Sequence, residues 1–568
     1  MIEGVKQQKW WGWGEEGHAY SAEGKPKFAP FVLKMTGLDI NAPTKPAPRF
    51  EDLTVPPSIL GDDLRAKLVD ALGEGYVQDD DETRVVHAFG KGVRDLMRVR
   101  RGDLGRVPDV VVYPADEAQV AAVMDAVVEA DGVVIPFGGG SNIVAALEAV
   151  PGESRPVVSV NLGRLNKVLE IDEQSGLARI QAGVFGPDME EQLQAKGWTM
   201  GHHPDSFVWS TLGGWIATRS SGMQSDKYGD IADITRGLRM VMPGQVLELR
   251  PLPSTSSGPS VREMVIGSEG RLGIITEAWV NVHRIPEVRE IQAYFFPDYY
   301  AGLKACEEIV HSDAKVMMAR VSDAIETQYI MANGKETKSK VKKLASKGIQ
   351  KLMESKKWDL EQIAMSFIGF EGSANDVRYQ KGLVAKIVKK HGGFGVGSGP
   401  GALYDQKKYD TPYLRDYMLD RGLICDVSET TTPWRHAADL HRKTTKAFNE
   451  AMERIGKRGV VFCHLSHSYH SGACQYFTFV VNDDTETAER NYDVAKRTIQ
   501  QSFVDHHATV SHHHGVGEEH SPWLEQDISP AGVFIQRKLF EGVDPGNNLN
   551  PGKIIHDGEP GITSNSPA

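Results

Sequence analysis

Gly201-His-His-Pro-Asp-Ser-Phe-Val-Trp-Ser-Thr-Leu-Gly-Gly-Trp-Ile-Ala-Thr-Arg-Ser-Ser-Gly-Met223 is too polar for a core strand and too apolar for a tail. Glycine has no Cβ, so backbone at such positions can approach a bulky ligand closely. The hydroxyls and amides around those glycines suit a ligand's polar edge. Lys227-Tyr-Gly-Asp-Ile231 follows, and Ile266-Gly-Ser-Glu-Gly-Arg-Leu-Gly-Ile-Ile-Thr276 repeats the same character. Upstream, Pro136-Phe-Gly-Gly-Gly-Ser-Asn142 offers successive backbone N–H groups in a turn, which makes an anion nest. It is not the G-x-G-x-x-G dinucleotide fingerprint, and it lacks the Lys-Ser/Thr pair of a P-loop. Alone it reads equally well as a plain strand-end turn. Together the segments describe a groove for a long ligand with a pyrophosphate and a flat ring.

Working outward, Val110-Val-Val-Tyr113 reads as a short buried strand. Asp116 opens a helix with Val120, Val123, Met124 and Val127 at helical spacing. Val133-Val-Ile-Pro136 is the next strand and runs into the glycine turn. Strands follow at Val157–Val160, Val168–Ile171 and Leu177–Ile180, and Pro187 starts a helix with acids in its first turn. Upstream of residue 105 the chain is Pro-rich, with a helical run near Asp62 to Leu72. Beyond 285 the glycine density falls. Glu287–Phe296, Ala314–Val321 and Glu361–Phe370 suggest strands interleaved with helices such as Tyr300–His311. Lys335 to Lys357 reads as a helix with a solvated lysine face. From about 500, His512-His-His-Gly-Val-Gly517 and Asp544-Pro-Gly-Asn-Asn-Leu-Asn-Pro-Gly-Lys553 restore a loop-rich, site-like character.

A chain of 568 residues is long enough for two or more domains. Its formal net charge of -12 argues against a nucleic-acid partner, because phosphate neutralisation needs a basic surface. Cys306, Cys425, Cys463 and Cys474 form no Cys-x-x-Cys pair and read as reduced thiols. The N-terminus lacks the apolar core of a signal peptide, and no apolar run is long enough to span a bilayer. The expected location is therefore cytoplasmic. Trp10, Trp11 and Trp13 raise peripheral contact with the inner membrane face, against the plainer reading that they anchor an N-terminal arm on the body. A homodimer is compatible with the sequence.

The glycine segments together resemble the flavoproteins of the vanillyl-alcohol-oxidase superfamily. The segment 544–553 is similar to that superfamily's C-terminal motif and is shared by its D-lactate dehydrogenases and glycolate oxidase subunits. More specific motifs are Lys9-Trp-Trp-Gly-Trp-Gly14, the stretch 201–223, Tyr413-Leu-Arg-Asp416, Ser428-Glu-Thr with Pro433-Trp434, Ser471-Gly-Ala-Cys-Gln-Tyr-Phe-Thr-Phe479 and Ser511-His-His-His-Gly-Val-Gly517. In this order, from residue 9 to about 553, they resemble the alkyldihydroxyacetonephosphate synthase family. The resemblance implies an α+β, two-domain PCMH-type FAD-binding fold with an α+β cap domain and a helical N-terminal arm. The expected division is an arm over 1–104, an FAD domain over 105–284, a cap over 285–500 and a returning C-terminal segment over 501–568.

The same resemblance implies non-covalent FAD and a transferase reaction with no net redox change. Acyl-dihydroxyacetone phosphate would exchange its acyl group for a long-chain alcohol, giving an ether-lipid precursor. The flavin N5 would bond to the substrate carbon as the fatty acid leaves, and the alcohol would then displace the flavin. Expected cofactor contacts are Pro136, Phe137, Gly138, Gly139, Gly140, Ser141 and Asn142 in the first loop. His202, Asp205, Ser206, Ser210, Thr211, Gly214, Thr218, Ser221 and Gly222 follow in the second segment. Glu269, Gly270, Gly273 and Ile275 complete the set.

Arg320 and Arg415 match family arginines at the substrate site, where a guanidinium fork suits a phosphate. His464 joins them as a substrate contact. Asp323 is a candidate ordinary partner for Arg320. Tyr476 matches the family's catalytic tyrosine, expected to move the C1 proton if a nearby cation lowers its pKa. His512, His513 and His514 are expected as active-site bases, since an imidazole titrates near neutral pH. No metal is expected there: consecutive positions point different ways, and no acidic partner sits at a metal-site spacing. Glu518 and Glu519 depart from the family's basic residues and would weaken a phosphate field if they faced the site. The eukaryotic enzymes' peroxisomal presequence is not seen, which suggests a bacterial-type homologue. Two other readings stay open: an FAD-dependent 2-hydroxy-acid dehydrogenase or oxidase, and a non-catalytic flavin- or lipid-binding module.

Overall fold

The strands Val110–Val112 and Val133–Phe137 are joined by a helix, yet they do not pair with each other. Val157–Asn161 lies between them, parallel to both, and Val77–Gln78 closes the edge. The connecting helix Glu117–Glu129 starts where Asp116 accepts a hydrogen bond from the Gln119 N–H. Its Val120, Val123, Met124 and Val127 are fully buried. The computed structural model describes residues 2, 4–42, 44, 49–336 and 339–555.

A five-stranded antiparallel sheet follows, in the order Val168–Asp172, Leu177–Gln181, Ile274–Asn281, Thr235–Met242, Gln245–Leu249. The glycine-rich segments edge these two sheets. A seven-stranded antiparallel sheet is built from strands between Val288 and Asn482. Its order is Phe394–Gly397, Val288–Phe296, Ala364–Gly372, Met318–Ser322, Gly459–Ser468, Gly472–Asn482, Leu423–Pro433. One face carries helices Trp434–Arg454 and Ala488–Asp505, whose apolar stripes bury Leu440, Phe448, Ile499 and Phe503 against Phe477 and Phe479.

Several expectations shift in extent. The strand expected at Ala314–Val321 begins only at Met318, and that expected from Glu361 begins at Ala364. The lysine-rich helix forms over Lys340–Ser355, and residues 337 and 338 of that stretch lie outside the described residues. The loop-rich reading beyond 500 missed a helix over Leu524–Val543, interrupted at Ser529-Pro530, where Ser529 takes φ 71°.

The C-terminal segment does return to the first sheet. The Val134 N–H donates to Asn548 O, and the Asn550 N–H donates to Val134 O. The N-terminal arm is anchored by its tryptophans. Trp10 packs edge-on against Phe50, and Trp13 joins Phe185 and Trp209. Trp10 and Trp13 are buried and Trp11 is partly buried, as the reading of the cluster as an anchor for the arm expects. No helix among the described residues is long and apolar enough to cross a membrane. All four cysteines are free, and Cys306, Cys463 and Cys474 are buried.

Candidate active site

A cavity of about 660 Å³ runs between the glycine-edged sheets and the seven-stranded sheet. That size suits a cofactor or an extended small molecule. All of Pro136–Asn142 line it. The glycines there are sterically required. A Cβ on Gly139 would sit 1.9 Å from Trp209 O, and one on Gly138 would sit 2.4 Å from Thr211 Oγ1. The Asn142 side chain holds the turn by accepting from the Val144 and Ala146 N–H groups. Thr211 caps the short helix Leu212–Thr218, accepting from Gly214 N–H.

Of the other expected cofactor contacts, Asp205, Ser206, Ser210, Thr211, Gly214, Thr218, Ser221, Gly222, Glu269, Gly270, Gly273 and Ile275 also line the cavity. His202 does not. It is fully buried one layer behind, with Nε2 2.8 Å from Ser220 Oγ, and Ser220 faces the cavity. Glu269 also works backward into the protein. It accepts the N–H groups of Val516 and Gly517 and fastens the loop after the histidines. Burial pushes its carboxyl up to about 7. The glycine cradle, open to an apolar groove, fits the pyrophosphate and ring system of FAD.

The far end is built by side chains. His464 and Tyr476 are directly opposite on neighbouring strands, and their rings stack 4.9 Å apart at 20°. His513 stacks near the Tyr476 ring as well, at 5.8 Å and 17°. Arg320 reaches Glu326 at 2.8 Å and His464 Nδ1 at 3.1 Å. Burial would raise the Glu326 carboxyl, but His464 and Arg320 outweigh it and hold it at about 2. Asp323 is not the arginine's partner. It accepts the Cys463 N–H at 2.7 Å and faces His441 at 3.2 Å.

Arg415, on helix Thr411–Leu419, donates from Nη1 to Lys91 O at 2.5 Å. Its Nε and Nη2 are buried with no hydrogen-bond partner among the described residues, and the side chain lines the cavity. An unpartnered buried guanidinium calls for an anionic ligand.

The three histidines diverge because one carboxylate gathers their backbone. Glu429 Oε1 accepts the N–H groups of His512, His513 and His514 and the hydroxyl of Ser511. Sequence spacing held no sign of this acidic partner, which comes from the strand Leu423–Pro433. His513 and His514 line the cavity; His512 does not, and turns back toward Tyr469. Burial, followed by the adjoining imidazoles, holds His513 and His514 well below the usual histidine value. The ligand atoms of His467, Cys474, His512 and His513 converge within 4.8 Å, as do those of Glu429, His513 and His514. The spacing argument could not see such groupings, which neighbouring strands complete.

Burial pushes the Tyr476 phenol well above the ordinary value, and Arg320 does not reverse this. The group is a neutral O–H donor rather than a phenolate. Glu518 and Glu519 do not line the cavity. Glu518 pairs with Lys553, and Glu519 with Arg94 and Tyr492. An apolar stretch of wall, unmarked by any sequence motif, completes the cavity: Phe28, Val32, Ile330, Met331, Met418 and Phe462.

Comparison with known proteins agrees with this geometry. Residues 108–250 match the FAD binding domain family, and residues 285–554 match the C-terminal domain of FAD linked oxidases. The alkyldihydroxyacetonephosphate synthase of Dictyostelium discoideum is 37% identical over 93% of this chain and 84% of its own. That of Trypanosoma brucei brucei is 34% identical over 98% and 93%. A solved alkyldihydroxyacetonephosphate synthase superposes with a TM-score of 0.85 at 33% identity, covering 97% of this chain and 99% of the other. The 4-ethylphenol oxidase of Gulosibacter chungangensis, at 14% identity and a TM-score of 0.65, shares the fold. The chain belongs to the alkyldihydroxyacetonephosphate synthase family of FAD-linked enzymes.

Proposed function

We propose that the protein exchanges the acyl group of acyl-dihydroxyacetone phosphate for a long-chain alcohol, using non-covalently held FAD. One observation carries this reading: a single cavity joins a glycine cradle, a buried unpartnered arginine, a tyrosine–histidine cluster and an apolar wall. FAD, when bound, supplies ring chemistry that lets the carbon–oxygen bond be exchanged without net oxidation. The chain's residues do the rest. Arg415 holds the phosphate through charge-assisted hydrogen bonds. Neutral Tyr476, between two imidazoles, positions its O–H beside the dihydroxyacetone unit. Neutral His513 or His514 accepts the alcohol's proton. Phe28, Val32, Met418 and Phe462 shelter an alkyl chain from water.

Arg320 is held by Glu326 and His464 and fixes His464 against Tyr476, while its buried Nε, without a partner among the described residues, leaves it a donor at the cavity wall for the same anionic group. A 2-hydroxy-acid dehydrogenase would use the arginine but has no need of the apolar wall. The test is incubation of purified holoprotein with acyl-dihydroxyacetone phosphate and an isotopically labelled hexadecanol. Mass spectrometry should find labelled alkyl-dihydroxyacetone phosphate and free fatty acid. Absence of both, with flavin bound, would reject the reading.

A further inference from the structure

An alcohol that becomes an ether must lose its proton, and the acyl group leaves as a carboxylate that needs none. Each turnover therefore releases one proton into a buried site. His513 lines the cavity, and its Nδ1 lies 2.9 Å from His512 Nδ1. His512 Nε2 is hydrogen-bonded to the Tyr469 hydroxyl. That hydroxyl in turn donates to Asp230 Oδ2 at 2.7 Å. The Asp230 side chain is 20% exposed, whereas that of His512 is only 8% exposed. The contacts thus form an unbroken line from the cavity wall to Asp230, a partly exposed side chain whose Oδ1 is itself buried with no hydrogen-bond partner among the described residues.

We propose that His512, Tyr469 and Asp230 are positioning residues that carry this proton away from His513. The inference rests on the exchange reaction proposed above. As the alcohol oxygen bonds to the substrate carbon, its O–H bond breaks and the proton joins His513 Nε2. The His513 Nδ1 proton passes to His512 Nδ1. The His512 Nε2 proton passes to the Tyr469 oxygen, and the Tyr469 hydroxyl proton passes to Asp230 Oδ2. Asp230 then gives a proton to water. Both imidazoles finish as their other tautomer, and no oxidant or reductant is consumed.

The surroundings suit this route. His467 packs its ring 5.2 Å from that of His512 and 5.6 Å from that of His513, but its Nε2 is engaged by Gly222 O. Asp226 accepts the Ser468 and Ala319 N–H groups, and Glu429 is occupied by the histidine backbone. Neither carboxylate makes a hydrogen bond to Tyr469 among the described residues. Among the described residues Asp230 is the carboxylate that receives the hydroxyl.

The test compares two activities of the same holoprotein. Ether formation from labelled alcohol needs a proton removed. Exchange of labelled fatty acid into acyl-dihydroxyacetone phosphate does not. Tyr469→Phe deletes one oxygen and keeps the ring. Asp230→Asn removes the terminal acceptor and keeps a side chain able to cap the helix Ile231–Ile234. In both variants the ratio of ether formation to acyl exchange should fall about tenfold or more, with bound flavin at the wild-type level. A ratio equal to wild type in both variants overturns the relay. So does a parallel loss of both activities, which marks a structural role. Wild-type protein that performs neither reaction would instead overturn the functional reading itself.

Discussion

The two ends of the cavity are built in opposite ways. The cofactor end is made of backbone, and its demands appear as missing side chains. At Gly139 a Cβ would overlap Trp209 O at 1.9 Å, so the residue type is dictated by space. The substrate end is made of side chains whose properties depend on their neighbours. Tyr476, His513 and His514 owe their protonation first to burial, and Glu429 and Glu326 owe theirs to histidines and an arginine that outweigh burial. Changes at the first end should act on flavin retention, and changes at the second on turnover.

The largest effect is expected at the cradle. Gly139→Ala should leave protein without bound FAD, read from visible absorbance after purification. Gly382, on the surface helix Ala374–Lys390, has nothing within 4 Å of where a Cβ would stand, and Gly382→Ala should keep full flavin. Full flavin in Gly139→Ala would break the distinction between the two ends.

Next come the proton-handling groups. Tyr476→Phe and His513→Ala should each lower turnover by about 10²–10⁴-fold with flavin content unchanged. Activity within a few-fold of wild type for Tyr476→Phe would dismiss the phenol. A smaller effect is expected from Arg415→Ala. Loss of charge-assisted hydrogen bonds worth about 1.5–3 kcal/mol should weaken substrate binding roughly ten- to hundredfold. It should appear mainly in KM. Loss of flavin or of folding would make Arg415 a structural residue through its bond to Lys91.

The smallest effect is on stability. Burial lowers His87, His202, His467 and His520 from 6.5 to about 4, 3, 4 and 4. Below pH 6.5 the unfolded chain protonates these groups and the folded one does not. Stability should therefore fall as pH drops from 6.5 towards 4. Asp226 and Glu269, raised to about 8 and 7 by burial, act in the opposite sense, as do Asp95, Asp205 and Asp493, but the lowered histidines outnumber them because burial also lowers His203, His464, His513 and His514. Tm should thus be a few degrees lower at pH 5 than at pH 6.5. A higher Tm at pH 5 would show that the raised carboxyls dominate.

The same contrast explains what could be read from the sequence. The strand–helix–strand unit at 110–137 and the glycine segments were legible, because spacing and absent side chains are local facts. Glu429 stood in a quoted motif, but its partnership was not legible: it meets the histidines only across more than eighty residues of chain. Arg320 and Asp323 look like partners in sequence, yet the cap of helix Ala324–Ala332 turns Asp323 toward Cys463 and brings Glu326 to the arginine. A nearby cation would lower the Tyr476 phenol. Burial decided otherwise, and burial at a given position is a property of the assembled sheet. His202 matches a family residue beside the flavin, and in the structure it stands one layer behind Ser220.

The central claim is that this cavity runs a substitution and not an oxidation. The most direct measurement is anaerobic stoichiometry on the holoprotein, with acyl-dihydroxyacetone phosphate and hexadecanol supplied together. The account predicts one fatty acid released for each ether formed, and a flavin spectrum that ends oxidised as it began. Flavin left bleached by the substrates, or bleached by a 2-hydroxy acid with no ether formed, would contradict it.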